Sequence, residues 1–370
     1  MDGHEMKPLR LAFTGDIIPI RPNRPLPDGM ASLCAVLGDV DFSLGNFEIA
    51  LVEDGAPTEK LLNIKGDPAL AADLPAMGLD LVTLANNHLP DYGVPGMRKT
   101  RAMIEAQGVS TLGFGETLGD ARALHVTEVA GQKVGVFACT CLTPTGMTAA
   151  ETRPGLSPLR IHTGYEIDPW YQMEEPGDPS VVRIRTRPFD EDLAAMQAAI
   201  CAARATCDIV IVTIHWGFGS GDDLAEYQEP LAHALIDAGA DVIHGHHPHA
   251  IHPVAFYKGR PILFGLGTFI GQQVFLDAPQ QVLEMWAKMS PDGMLAEVSI
   301  DPVGTFVLRL LPHRLDTNRL ARPAIRAEAQ EIAERLARLS APFGTLIEIR
   351  EDGTIIASHE PSRPGTSAVA

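Results

Sequence analysis

Four histidines fall within six residues in His244-Gly245-His246-His247-Pro248-His249, directly after the apolar run Asp241-Val242-Ile243. Solvated loops seldom concentrate imidazole in this way, so a metal centre is the better reading of the cluster. His215 closes a second apolar run, 209–214, and is followed by Trp216-Gly217; on its own it fits a hydrogen-bonded core residue as well as a ligand. Two acids stand in similar places. Asp16 follows Leu11-Ala12-Phe13-Thr14-Gly15, and Glu48 ends Gly45-Asn46-Phe47-Glu48; taken singly, each suits a turn or loop as well as a hard oxygen ligand. Asn86-Asn87-His88 ends the run 81–85, with Asp91 and Gly93 just beyond. Adjacent asparagines are also good turn formers. An amide oxygen able to ligate a metal, next to an imidazole left free to give a proton, points instead to chemistry.

Together these groups offer two acids, one or two amides and at least three histidines. That mixture suits Mn²⁺, Fe²⁺ or Zn²⁺ in an open site, whereas closure by cysteine would indicate structural zinc. The expectation is one or two divalent ions. A carboxylate bridging two ions about 3.5–4 Å apart would generate a metal-activated water near neutral pH. Arg21, Arg24 and Arg153 are candidates for a clamp on an anionic substrate.

Such groups must be held by a rigid frame. Short apolar runs at 9–13, 41–44, 79–84, 133–138 and 208–214 read as buried strands, and 68–77, 94–107, 191–204 and 230–237 as helices, giving an α/β chain. The polar residues crowd the C-terminal ends of those strands, where loops of α/β proteins build sites. Residues 141–188 break the alternation with many Pro and Gly and read as a lid over the pocket. Strand-like runs at 294–300 and 305–311, an amphipathic helix at 327–339 and a hairpin turning at Glu351-Asp352-Gly353 follow. Residues 1–280 are expected to form the core, 281–359 to complete the same domain and 360–370 to be a disordered tail.

The chain has 370 residues and a net charge of −18, which excludes nucleic acid as an expected partner. Five cysteines (Cys34, Cys139, Cys141, Cys201, Cys207) without metal or redox spacing read as free thiols of a reducing compartment. The opening MDGHEMKPLR lacks the features of a signal peptide, and no run reaches the length of a membrane span. A cytoplasmic protein with no membrane anchor in this chain is expected. A homo-oligomer is left open.

In order, the motifs Gly15-Asp16, Gly45 through Glu48, Asn86 through Gly93, His215-Trp216-Gly217 and Gly245 through His249 resemble the CapA-type branch, associated with poly-γ-glutamate capsule synthesis, of the calcineurin-like metallophosphoesterases. The likeness covers roughly 9–345, including Ser340-Ala341-Pro342-Phe343-Gly344 near its end, and leaves 141–188 unassigned. It implies a four-layer α/β/β/α sandwich of two mixed sheets. It also implies one ion held by Asp16, Glu48 and His249, and a second by Glu48, Asn87, His215 and His247. His88, oriented by Asp91, would be the general acid. Asn46, Asn86, Trp216, His244 and His246 would stand behind the ligands or touch substrate. The pattern departs from the wider superfamily where Asp16-Ile17-Ile18 replaces Asp-x-His. It departs from the branch where Gly219 replaces an acid and Thr268 an asparagine.

The implied activity is hydrolysis of a phosphoester or an amide-type bond in a small-molecule, γ-glutamyl or phosphorylated substrate. The competing readings are a non-catalytic, accessory component of poly-γ-glutamate synthesis and a binding protein whose metal has no open position.

Overall fold

The apolar runs build two large mixed sheets whose central strands are buried at nearly every position, because successive side chains face opposite ways and both faces are covered. In the computed structural model, which describes residues 7–359, the larger sheet has ten strands. At its centre Leu9–Ile18 lies parallel to Phe42–Phe47, which is followed by Leu81–Thr83 and Ser110–Leu112. On the other side Asp292–Ile300 and Phe306–Leu315 are antiparallel. The smaller sheet has six strands; Gln132–Thr140, Ile209–His215, Val242–His246 and Arg260–Leu263 run parallel, with hairpin partners at both edges. The chain is thus mixed α/β. The tail 360–370, expected to be disordered, lies outside the described residues.

Three apolar clusters account for the packing. Leu9, Leu11, Phe13 and Leu44 of the large sheet share one with Val134, Val136, Ile209 and Ile211 of the small sheet. Ala12, Ile17 and Val82 carry the helices Asp28–Asp39 and Gly93–Glu105 through Met30, Leu33, Met97 and Ile104. Val210, Val212 and Ile214 carry Asp190–Ala203 and Gln228–Asp237 through Met196, Ile200, Leu231 and Leu235. Strands buried on both faces read as continuous apolar runs, and each fully buried Leu or Ile contributes roughly 1.5–3 kcal/mol.

Several boundaries differ from expectation. Asp28–Asp39 was not expected as a helix. Residues 68–77 form a 3-10 turn, Pro68–Ala72, and then a single α-turn, Asp73–Ala76, since Pro75 has no N–H to continue a ladder. Residues 141–188 contain an antiparallel hairpin, Ile161–Ile167 with Val182–Pro188, around a short helix Pro169–Glu174. The five cysteines are free. No helix among the described residues is long and apolar enough to cross a membrane.

Candidate metal centre

The parallel strands of both sheets deliver their C-terminal ends to one place. Asp16 sits within Leu9–Ile18 at a register irregularity, Glu48 directly follows Phe42–Phe47, and His215 ends Ile209–His215. Two glycines permit the close approach. A Cβ on Gly15 would stand 1.9 Å from the Gly267 carbonyl oxygen, and one on Gly245 would stand 2.3 Å from Trp216 Nε1. Trp216 is fully buried and donates its ring N–H to the Phe264 carbonyl at 2.9 Å. It is a prop for the strand ends, not a group aimed at the ligands.

Six expected ligands come together. His249 Nδ1 lies 2.9 Å from Asp16 Oδ2, and Glu48 Oε1 lies 3.7 Å from His215 Nε2 and 3.8 Å from His249 Nε2. Asn87 Oδ1 is 2.8 Å from His215 Nε2. Asp16 Oδ2, Glu48 Oε1, His247 Nδ1 and His249 Nδ1 are buried and none makes a well-directed hydrogen bond, although Asp16 Oδ2 and His249 Nδ1 lie 2.9 Å apart and such bonds are nearly universal for buried polar atoms. Orphan lone-pair atoms converging at these distances are what a divalent cation satisfies. The backbone is strained here as well: His247 and His249, on either side of Pro248, have φ of 101° and 50°, conformations that cost of order 1–3 kcal/mol each and collect at functional sites.

Burial and then the charge of Asp16 push the Glu48 carboxyl well above its ordinary range. Burial works the same way on Asp16, but His249 and the Asn46 amide outweigh it and hold that carboxyl below its ordinary value. Asn46 Nδ2 bridges the two acids, at 2.8 Å from Asp16 Oδ1 and 3.0 Å from Glu48 Oε2. Asn86 in turn donates to Asn46 Oδ1 and the Phe47 carbonyl while its own carbonyl accepts from the backbone of His88 and Leu89. The two expected supporting amides therefore brace the acids and the Asn87-His88 turn.

His244 and His246 form a chain of defined tautomers. His244 Nε2 faces the Thr14 carbonyl at 2.9 Å, so it carries the proton. Burial holds this ring neutral, its pKa pushed down to about 4, so Nδ1 is a lone pair and accepts from Thr213 Oγ1 at 3.0 Å. The Thr213 oxygen then accepts from His246 Nε2 at 3.1 Å, and His246 Nδ1 accepts from His215 Nδ1 at 2.9 Å. His215 is left with a lone pair on Nε2, 2.8 Å from Asn87 Oδ1 and 3.7 Å from Glu48 Oε1; all three atoms are acceptors, a set that a cation satisfies and a hydrogen bond does not. A hydrogen bond on one ring nitrogen of a ligand fixes the other for metal in this way. His246 lies within ligating reach of Asp16 and His215, but both its nitrogens are engaged.

His88 Nδ1 contacts Asp91 Oδ2 at 2.8 Å, and Asp91 is fully buried. Sequence reasoning missed Lys60. Its ammonium bonds Asp91 Oδ1 and, at 2.7 Å, the Asn87 carbonyl. Burial lowers the His88 pKa, Asp91 draws it back up, and Lys60 lowers it again.

A cavity of about 420 Å³ opens beside these groups, lined by Lys60, Asn87, His88, His247 and His249 and by apolar side chains from 61–64 and 282–289. No residue of 141–188 lines it, so the walls come from other segments than the expected lid. The expected arginine clamp is absent from the lining too. Arg24 pairs with Asp73, Arg153 bonds the Thr148 carbonyl, and Arg21 lies over the Phe275 ring. Lys60 is the cation that tertiary packing supplies, and an isolated lysine among polar loop residues gave no signal of it. Gly219, where an acid is usual in the resembling branch, lies against His247 Nε2.

The sequence profile described as "Bacterial capsule synthesis protein PGA_cap" matches residues 10–273, a span that takes in Asp16, Glu48, Asn87, His88, His215, His247 and His249. The uncharacterized protein y4sH of Sinorhizobium fredii is 28% identical over 87% of each chain. The PGA biosynthesis protein CapA of Bacillus subtilis is 29% identical over 63% of this chain and 54% of its own length. A probable polyglutamine synthesis accessory protein of Mycobacterium tuberculosis is 28% identical over 85% of this chain and 76% of its own.

Proposed function

The chain belongs to the bacterial capsule synthesis protein family PGA_cap, and from that premise we propose that it is a metal-dependent hydrolase of metallophosphoesterase type. The observation that carries this reading is the convergence of four buried, partnerless donor atoms, on Asp16, Glu48, His247 and His249, beside His215 Nε2 and Asn87 Oδ1. These residues would hold one or two divalent ions, Mn²⁺, Fe²⁺ or Zn²⁺. When bound, such ions supply Lewis acidity and a nucleophile from water near neutral pH. The remaining chemistry belongs to side chains. His88 protonates the leaving group as the imidazolium: Asp91 takes the Nδ1–H, which leaves Nε2–H as the transferable proton, and the charge of Asp91 works against the burial that disfavours this form. Lys60 pairs with the other oxygen of Asp91. The three apolar clusters support a four-layer α/β/β/α sandwich, with residues 281–359 completing the domain begun by 1–280, and we place the protein in the cytoplasm.

The test is elemental analysis of purified wild type, Asp16→Ala and His88→Ala, followed by turnover of a generic phosphodiester and a γ-glutamyl amide with Mn²⁺ added. Stoichiometric metal is expected in wild type and His88→Ala and not in Asp16→Ala, with turnover in His88→Ala reduced about 10²–10⁴-fold. Folded protein that takes up no metal and turns over neither substrate refutes the hydrolase. The names of these relatives favour the second reading, an accessory component of poly-γ-glutamate capsule synthesis, and that result would promote it.

A further inference from the structure

The cavity beside the metal-ligating groups has a chemical character that neither the family nor the ligand set dictates. Its apolar lining comes from two segments: Leu61 and Ile64 from one, and Val282, Met285, Trp286 and Met289 from the helix Gln280–Trp286 and the turn after it. Leu61 is 66% and Met285 38% exposed, so apolar surface lies open at the rim of an otherwise polar centre. At about 420 Å³ the space is of small-molecule size. Gln273 adds a buried polar side chain to this lining. This side chain is 2% exposed and lines the cavity; its Oε1 has no hydrogen-bond partner, and its amide nitrogen rests 3.9 Å from Met289 Sδ. A buried acceptor without a donor costs about 1–3 kcal/mol.

Charge narrows the occupant further. Lys60 is the one Lys or Arg among the lining residues, and its ammonium is engaged by Asp91 and the Asn87 carbonyl. A poly-γ-glutamate chain carries a carboxylate on every residue; the proposed metal centre could meet one of them, but beyond it the lining offers a polyanion only one cation, already engaged. We propose that this pocket selects a small molecule with an apolar body and a single anionic or polar head, the head turned to the His88 and Lys60 side and the body lying between Leu61 and Trp286. The proposal deepens the hydrolase reading, since it makes the pocket the substrate subsite of that centre.

The test is calorimetric binding, not turnover. Straight-chain alkyl phosphates and alkyl carboxylates of two to eight carbons, with tri-γ-glutamate as the polyanionic comparator, are titrated into the Mn²⁺-supplemented full chain. In at least one series affinity should rise roughly fourfold per buried methylene until the cavity is full. Trp286→Ala and the rim variant Met285→Ser should both flatten that rise, the second guarding against a folding defect in the first. Affinity independent of chain length in both series, or tri-γ-glutamate bound more tightly than the octyl compounds, overturns the proposal. Protein that shows the chain-length series yet hydrolyses nothing keeps this inference and loses the hydrolase reading. Protein that hydrolyses with a flat series loses this inference alone.

Discussion

Two pairs of histidines in one short stretch of chain have opposite fates. His244 and His246 lie on the strand Val242–His246 with every ring nitrogen paired. His247 and His249 lie just past its end, in left-handed backbone around Pro248, each with a partnerless Nδ1. The strand pair is satisfied by protein groups alone, and the turn pair faces carboxylates that repel one another without a cation. An orphan ring is not sufficient for a site. His313 is fully buried with both nitrogens unpartnered, yet it packs edge-on against Phe269 and has no acid in any candidate metal group. Convergence with Asp16 and Glu48 is what separates a centre from a neutral imidazole in the core.

The largest effect should come from the turn pair. His247→Ala is expected to weaken Mn²⁺ or Zn²⁺ binding by more than about 100-fold, beyond what loss of a supporting residue causes, as read by calorimetry and elemental analysis. Full metal content in this variant would remove the distinction between the pairs.

Thr213→Val should act through the strand pair. It removes the hydroxyl that joins His244 to His246 without changing shape, so His215 is no longer held in one tautomer. Metal affinity is expected to fall about 10–100-fold, and the ¹⁵N shifts of His215 should move from one tautomer towards a mixture. Unchanged shifts would mean that the chain does not set the ligand.

The smallest effect is on pH stability of the metal-free protein. Burial pushes the pKa of His244 down to about 4 and those of His247 and His313 to about 3. The unfolded chain takes up these protons near pH 6.5, while the folded chain refuses them until much lower pH. Their stabilisation is therefore complete above about pH 6.5 and is lost as pH falls towards 4. Glu48, raised, acts with the opposite sign, one group against several. Thermal melts at pH 7.5, 6 and 5 should show a falling Tm; a level series would mean that the folded rings accept protons.

The candidate ligands were legible because each ends or follows an apolar run, and a strand end is readable from one sequence. Asp16, Glu48, Asn87, His215, His247 and His249 all had that signature, and the order of their motifs carried the family. What was not legible came from contacts distant in sequence. Lys60 reaches Asp91 and Asn87, and Gln273 meets Met289, but nothing in the local pattern of either residue marks it. The helix Asp28–Asp39 was overlooked because its small and polar residues blur the apolar stripe around Met30, Leu33 and Leu37. The hairpin within 141–188 was read as irregular because both of its faces are largely exposed, so burial imposes no clear alternation on it.

Asp91 holds more than an imidazole. Its carboxylate and carbonyl take bonds from His88, Lys60, Thr58 and Ile64, so residues 58–64 are fastened to the group that orients the acid. Leu61 and Ile64, which line the cavity, ride on that same segment. Displacing the segment would strip Asp91 of Lys60 and leave a buried carboxylate with only His88 to neutralise it, so the imidazole would grip its proton more tightly. Under the proposed hydrolase reading, pocket shape and acid strength are two readings of one latch: a molecule that fits poorly and pries the segment open would also meet a weaker acid, which would make discrimination a property of the rate and not of binding alone.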